Sequence, residues 1–234
     1  MGQFLHQFFS PLDFVRATPQ IWSGFKLNLE LMFVAEAIVL VLALLLAIVR
    51  GLPGRAMAPV RGAAIAYTDI FRGTPLVLVL FIVLGFATLN YVGLSSQTLF
   101  RNGLIALVLV YTAYVTEVYR AGIESVHPSQ RMAARSLGLS YMQALRYVVL
   151  PQAIRRVVPP LLNDFIGLQK DTALITFIGV VEATAQANQF ASDYANFTGL
   201  TVAAVFFILL TIPFARFTDH IIKERERRER AQTV

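Results

Sequence analysis

Glu36, Glu117, Arg120, Asp164, Lys170 and Asp171 interrupt stretches otherwise rich in Leu, Val, Ile, Ala and Phe. A charge at the centre of a membrane helix costs roughly 2.5 to 3.5 kcal/mol on insertion scales, so each is a candidate to hold a polar solute or to neutralise a neighbour. Glu117 and Arg120 are three apart and share a helix face, so they pair as a structural unit or leave the carboxylate open to a cation. Lys170 either neutralises Glu36 across helices or faces a solute. Asp171 beside Thr172 sets a carboxylate next to a hydroxyl, a combination that accepts hydrogen bonds from an ammonium group. Thr74-Pro75 either breaks a helix and exposes backbone carbonyls to a cavity or simply starts one. Bond chemistry has no comparable support. Cysteine is absent, the three histidines have no metal-ligand spacing, and no G-x-S-x-G elbow or P-loop run occurs. An intramembrane hydrolase is thereby disfavoured, and any use of ATP falls to a partner.

The elements that position these groups follow from composition. The 234 residues are 56% hydrophobic and 15% charged, against roughly 25% charged in soluble domains. This is an all-α integral membrane chain. A spanning helix needs about 20 mostly apolar residues. Spans are expected at residues 27–49, 75–94, 104–118, 160–187 and 197–214, the fourth being the most polar. Glu36 falls near the midplane of the first. Residues 1–26 form an extracytoplasmic or interfacial segment without a signal-peptide pattern, residues 27–218 the transmembrane domain, and residues 219–234 a basic cytoplasmic tail.

Lysine and arginine accumulate on the cytoplasmic side of membrane proteins. Here Arg50, Arg55, Arg61 and Arg72 follow the first span, Arg120, Arg131, Arg135, Arg146, Arg155 and Arg156 follow the third, and Lys223, Arg225, Arg227, Arg228 and Arg230 crowd the tail. The opposite side keeps Arg16, Lys26 and Arg101. Five spans with the N-terminus outside and the C-terminus inside satisfy this asymmetry, whereas dropping the fourth breaks it. The net charge of +6 therefore reports topology, and no nucleic-acid face is indicated.

Residues 120–160 are too long for an ordinary connection. Pro128 is suited to the first turn of a helix, Gly138 to a left-handed C-terminal cap, and Ser140 with Gln143 to a capping box. The second short helix presents Met142, Leu145 and Val149 as its apolar face and ends at Pro151. Two short helices make a cytoplasmic knob, which either lies on lipid headgroups or docks a soluble partner.

Met132-Ala133-Ala134, Gly138 and Val148-Val149-Leu150-Pro151 resemble the "EAA" motif of ABC-importer permeases: Glu-Ala-Ala, three residues, Gly, nine residues, Ile-x-Leu-Pro. The runs FRGTPL (71–76), AYVTEVYRAGI (113–123), LPQAIRRVVPPL (150–161) and LQKDTAL (168–174) look like the polar amino acid branch of that family. The resemblance covers residues 20 to 220. Met132 stands where the family has its glutamate.

The resemblance implies a permease of about five helices that performs no bond chemistry and carries no cofactor. It pairs with an identical or paralogous permease and receives an amino acid from an extracytoplasmic binding protein. Cytoplasmic ABC ATPase subunits that bind ATP and magnesium dock on residues 128–151, with Arg131, Met132, Ala133, Ala134, Arg135, Gly138, Leu139 and Ser140 as the coupling residues. Thr74, Glu117, Asp171, Thr172, Lys170 and Glu36 are the solute candidates, and the location is the bacterial inner membrane. The competing class is a gradient-driven carrier or channel, disfavoured because carriers are commonly built from repeated halves and no internal repeat is detectable. A membrane-anchored scaffold would leave the polar fourth span unexplained.

Overall fold

A computed structural model describes residues 2–52, 54–89 and 95–231. The described residues are helical with short connections: α1 (Gly2–Phe9), α2 (Pro11–Arg50), α3 (Ala58–Gly73), α4 (Leu76–Leu89), α5 (Ser96–Glu124), α6 (Pro128–Ser136), α7 (Tyr141–Ala144), α8 (Leu150–Asp171), α9 (Ala183–Tyr194) and α10 (Thr198–Ala231). A π turn over Leu145–Val149 joins α7 to α8, and a 3₁₀ turn over Thr172–Ile178 follows α8.

Among the described residues three helices are long and apolar enough to cross a bilayer: Pro11–Arg50, Ser96–Glu124 and Thr198–Glu224. The pair α3 and α4, bent by 111° at Thr74-Pro75, qualifies as one broken span. Apolarity alone thus supports up to four crossings, one fewer than the expected five, and the polar α8 is the helix left out. Buried residues make up 56% of the apolar stretch of α5, against 28% in α2 and 22% in α10, so α5 is the hub. It packs on α2, α3, α4 and α8, with Leu31, Val39, Leu80, Leu107, Val115 and Leu168 in the main core. Val41, Leu45 and Ile48 of α2 and Leu209 and Ile212 of α10 stay exposed, as expected of side chains that face hydrocarbon.

Several expected boundaries move. The first span is part of a 40-residue helix, about 60 Å at 1.5 Å per residue, so residues 11–26 are not a separate segment. Ser10 caps it by accepting a hydrogen bond from the Asp13 amide at 3.4 Å, with Pro11 in the first turn. The first connection contains α3, whose polar residues hid it from a hydropathy reading. The third span extends to Ser96–Glu124. The fifth is continuous with the tail through Ala231.

The fourth span is not one helix over 160–187. It ends at Asp171, turns through the 3₁₀ segment and Gly179, and restarts at Ala183 behind a Glu182 cap. Pro151 does not end the second short helix either. The π turn absorbs the proline, and the chain stays helical from Tyr141 to Asp171. The expected second-span end at Leu94 and the side chain of Met142 lie outside what is described.

The N-terminal parts of α2 and α10 together with α9 enclose a second core of Ile21, Phe25, Ala183, Ala187, Phe190 and Val202. Its closest approach is at Gly24, where a Cβ would stand 2.6 Å from the Ala183 nitrogen and the Glu182 carbonyl carbon. Only a residue without a side chain fits there.

Candidate functional site: a cavity at a broken helix

The bend between α3 and α4 opens onto a cavity of about 480 Å³. Residues 72–77 of the break form one wall, Val110 and Tyr114 of α5 another, and Asp171 with Leu174 the third. The local sequence dictates the break. Pro75 has no amide hydrogen and disfavours a helical residue before it, and Thr74 adopts an extended conformation (φ −104°, ψ 128°). Its hydroxyl donates to the Ile70 carbonyl at 2.8 Å, closing α3. The amides of Leu76 and Val77 stand at the start of α4, before any intrahelical bond can form, so they and the helix dipole favour negative charge.

Asp171 is half-buried, and its Oδ2 accepts a hydrogen bond from the Tyr111 hydroxyl at 2.8 Å. Tyr111 is itself buried. The cavity therefore unites two expected solute residues, Thr74 and Asp171, from positions 97 residues apart in the chain.

The other candidates go elsewhere. Thr172 is fully buried and turned away: its hydroxyl donates to the Gln169 carbonyl at 2.7 Å and accepts from Asn28 Nδ2 at 3.1 Å. Asp171 and Thr172 thus do not act as an adjacent pair, because the 3₁₀ turn begins between them. Glu117 is not an open carboxylate. Its Oε1 pairs with Arg50, and its Oε2 accepts from Arg120 Nε at 2.9 Å and Nη2 at 2.7 Å. Arg120 also pairs with Glu124, and Arg50 donates to Thr68 at 2.8 Å. The expected Glu117–Arg120 pair is present inside a larger network that ties the ends of α2, α3 and α5.

Lys170 and Glu36 form no ion pair. Lys170 is exposed beside a separate cavity of about 260 Å³ with Thr184, Ala203 and Phe207. Glu36 is half-buried with Oε2 unpaired, as is Asp164 Oδ2 on α8.

The segment of residues 128–151 matches its local sequence signals. Pro128 opens α6. Gly138 has φ +86°, and the amides of Gly138 and Leu139 bond the carbonyls of Arg135 and Ala134, a Schellman closure. The capping box is complete: Gln143 Oε1 accepts from the Ser140 amide at 2.8 Å and Ser140 Oγ from the Gln143 amide at 3.3 Å. Met132, Ala133, Arg135, Gly138 and Ser140 are exposed, Arg131 and Leu139 are partly so, and Ala134 faces inward. Val126, Val149 and Ala153 form a small core that fixes the knob to the bundle.

Sequence reasoning missed Arg50, Arg72 and Tyr111 as site residues. Arg50 and Arg72 entered only as topology charges. Nothing in the spacing links Tyr111 to a carboxylate sixty residues on.

A broken helix beside a cavity of mixed lining, with Arg72, Thr74 and Asp171 among Leu76, Val77, Val110 and Leu174, set in an apolar bundle with a capped pair of short helices, suits a multi-pass membrane transport subunit. The chain belongs to the family of binding-protein-dependent transport system inner membrane components, whose model matches residues 43–227. It is thus a permease subunit and not an enzyme. It is 34% identical over 205 residues to the arginine transport system permease protein ArtQ of Bacillus subtilis (strain 168), covering 86% of this chain and 91% of the relative. To the glutamate/aspartate import permease protein GltJ of Escherichia coli (strain K12) it is 31% identical over 228 residues, 90% and 91% of the two chains. A crystal structure of an amino acid ABC transporter with histidines superposes with a TM-score of 0.83 at 32% identity, over 91% of this chain and 97% of that one.

Proposed function

We propose that the chain forms half of a translocation pore for a polar amino acid, paired with an identical or sister permease. An extracytoplasmic binding protein delivers the solute, and cytoplasmic ABC ATPase subunits, which bind ATP and magnesium, seat on α6. The supporting observation is the shared cavity: the Thr74-Pro75 break and the Asp171 carboxylate face one space of about 480 Å³, which is ample for an amino acid. Asp171 accepts the solute's ammonium group, and the first amides of α4 offer donors to its carboxylate. The names of the relatives, which specify arginine or glutamate and aspartate, agree with a polar amino acid.

Five crossings, with α8 as the fourth, put the N-terminus outside and the tail in the cytoplasm. The continuous rod from Tyr141 to Asp171 links the docking segment to the cavity wall. A shift of the knob on ATP binding moves that rod and biases the pore between two packings. With Met132 exposed where a carboxylate is usual in the family, α6 offers the ATPase an apolar contact flanked by Arg131 and Arg135.

Two experiments test this. In the reconstituted complex, Asp171→Asn lowers the affinity for the stimulating amino acid by about tenfold or more, read from solute-stimulated ATPase activity; unchanged stimulation removes Asp171 from the site. Because the chain has no cysteine, Met132→Cys gives a single attachment point. A bifunctional crosslinker there captures the ATPase subunit, and absence of that product refutes docking on α6.

A further inference from the structure

Arg72 closes α3 and lines the same cavity as Asp171. It is also at the edge of the Glu117 network, with its Nη1 3.8 Å from Glu117 Oε1. That oxygen already has a closer partner in Arg50, and the other oxygen is held twice by Arg120. Glu117 is therefore saturated without Arg72. Three guanidinium groups, those of Arg50, Arg72 and Arg120, meet two carboxylates, those of Glu117 and Glu124. The surplus charge is carried by Arg72, whose side chain is 44% exposed against 11% for Arg50. Among the described residues Asp171 is the only acidic residue in the lining and Arg72 the only basic one, so one cavity holds complementary charges for the two ends of a zwitterion.

We propose that Arg72 is a solute-binding residue that grips the α-carboxylate of the amino acid, resting on Glu117 when the cavity is empty and turning to the solute when it is filled. This rests on the reading that the cavity is the solute site. A guanidinium fits a carboxylate through two parallel N–H donors, a match an ammonium cannot reproduce. The first amides of α4 add donors at the same end of the cavity. Since Arg50 and Arg120 keep Glu117 paired, the exchange leaves the packing of α2, α3 and α5 intact.

The test is direct binding to the purified permease–ATPase complex without binding protein, using L-arginine and L-glutamate as probes, each against its α-carboxamide. The native complex prefers the acid to the amide by about tenfold. Arg72→Gln weakens the acid by about tenfold and brings the ratio close to one, leaving the amide nearly unaffected. Arg72→Lys, which keeps the charge without the planar fork, gives an intermediate ratio and serves as the test should Arg72→Gln fail to assemble. Equal weakening of acid and amide in both variants overturns the role of Arg72 while leaving the site standing, provided Asp171→Asn still reduces binding of the acid. Binding that is unaffected by Asp171→Asn, or absent from the native complex for both probes, overturns the site itself and this role with it.

Discussion

Glu182 and Asp171 are carboxyl groups eleven residues apart, either side of the turn that follows α8, and they are treated in opposite ways. Glu182 is completely buried and fully partnered. It accepts from Asn28 Nδ2 at 3.0 Å, from the Thr184 amide at 2.9 Å and from the Ala185 amide at 3.0 Å, while Asn28 Oδ1 receives the Ala183 amide at 3.1 Å. Asp171 is half-buried, has one protein donor in Tyr111, and borders a cavity. A carboxyl group whose acceptor sites are all filled by its own fold locks elements together. One that keeps lone pairs facing a space is available to a ligand. In a membrane both residues are conspicuous from sequence, and only the count of their partners separates them.

The comparison is most severely tested at Gly24. Its replacement by Val drives a side chain into backbone atoms 2.6 Å away, and the Glu182 clasp on α2 cannot close. The expected cost exceeds the roughly 3 kcal/mol of ordinary overpacking, read as loss of folded, monodisperse protein in detergent. Next in size is Glu182→Ala, which strips the two first amides of α9 of their side-chain acceptor and leaves Asn28 Nδ2 with Thr172 alone. A destabilisation of about 3 kcal/mol is expected, measured by thermal unfolding. Asp171→Asn keeps an oxygen for Tyr111 and changes stability by less than about 1 kcal/mol. A result in which Asp171→Asn destabilises as much as Glu182→Ala would erase the distinction between lock and site.

The knob was the most legible part of the molecule because its signals are local. Pro128, Gly138 and the Ser140–Gln143 box each act within a few residues, and each is found in its expected geometry. The fourth span was legible as a polar stretch and misread as a single helix. Apolar content could not reveal that Asn28 and Gly24, some 150 residues upstream, hold the chain away from a straight path at Glu182. Helix α3 escaped notice for the opposite reason: Arg61, Asp69 and Arg72 masked a segment that is helical because it packs on α5. The site was half visible. Thr74 and Asp171 were expected as separate candidates, and their meeting is a property of the 111° bend. Glu117 was rightly paired with Arg120, but its second partner, Arg50, is sixty-seven residues away and no spacing rule reaches that far.

The finest discrimination is at Tyr111. Its ring packs in the main core, and only its hydroxyl, 2.8 Å from Asp171 Oδ2, touches the site. Tyr111→Phe removes that oxygen and leaves the ring in place. If Asp171 were a structural lock like Glu182, losing the Tyr111 donor, the only one among the described residues, would strand its carboxylate and lower stability by several kcal/mol. If it is a site, the cavity lets water or solute replace the lost donor, and stability falls by only about 1 kcal/mol. The effect then appears in binding. The hydroxyl fixes one oxygen of Asp171 and thereby aims the other, so its loss loosens the geometry offered to an ammonium group and weakens solute affinity by a few fold without abolishing transport. Thermal unfolding and solute-stimulated ATPase activity, measured on the same variant, separate the two outcomes.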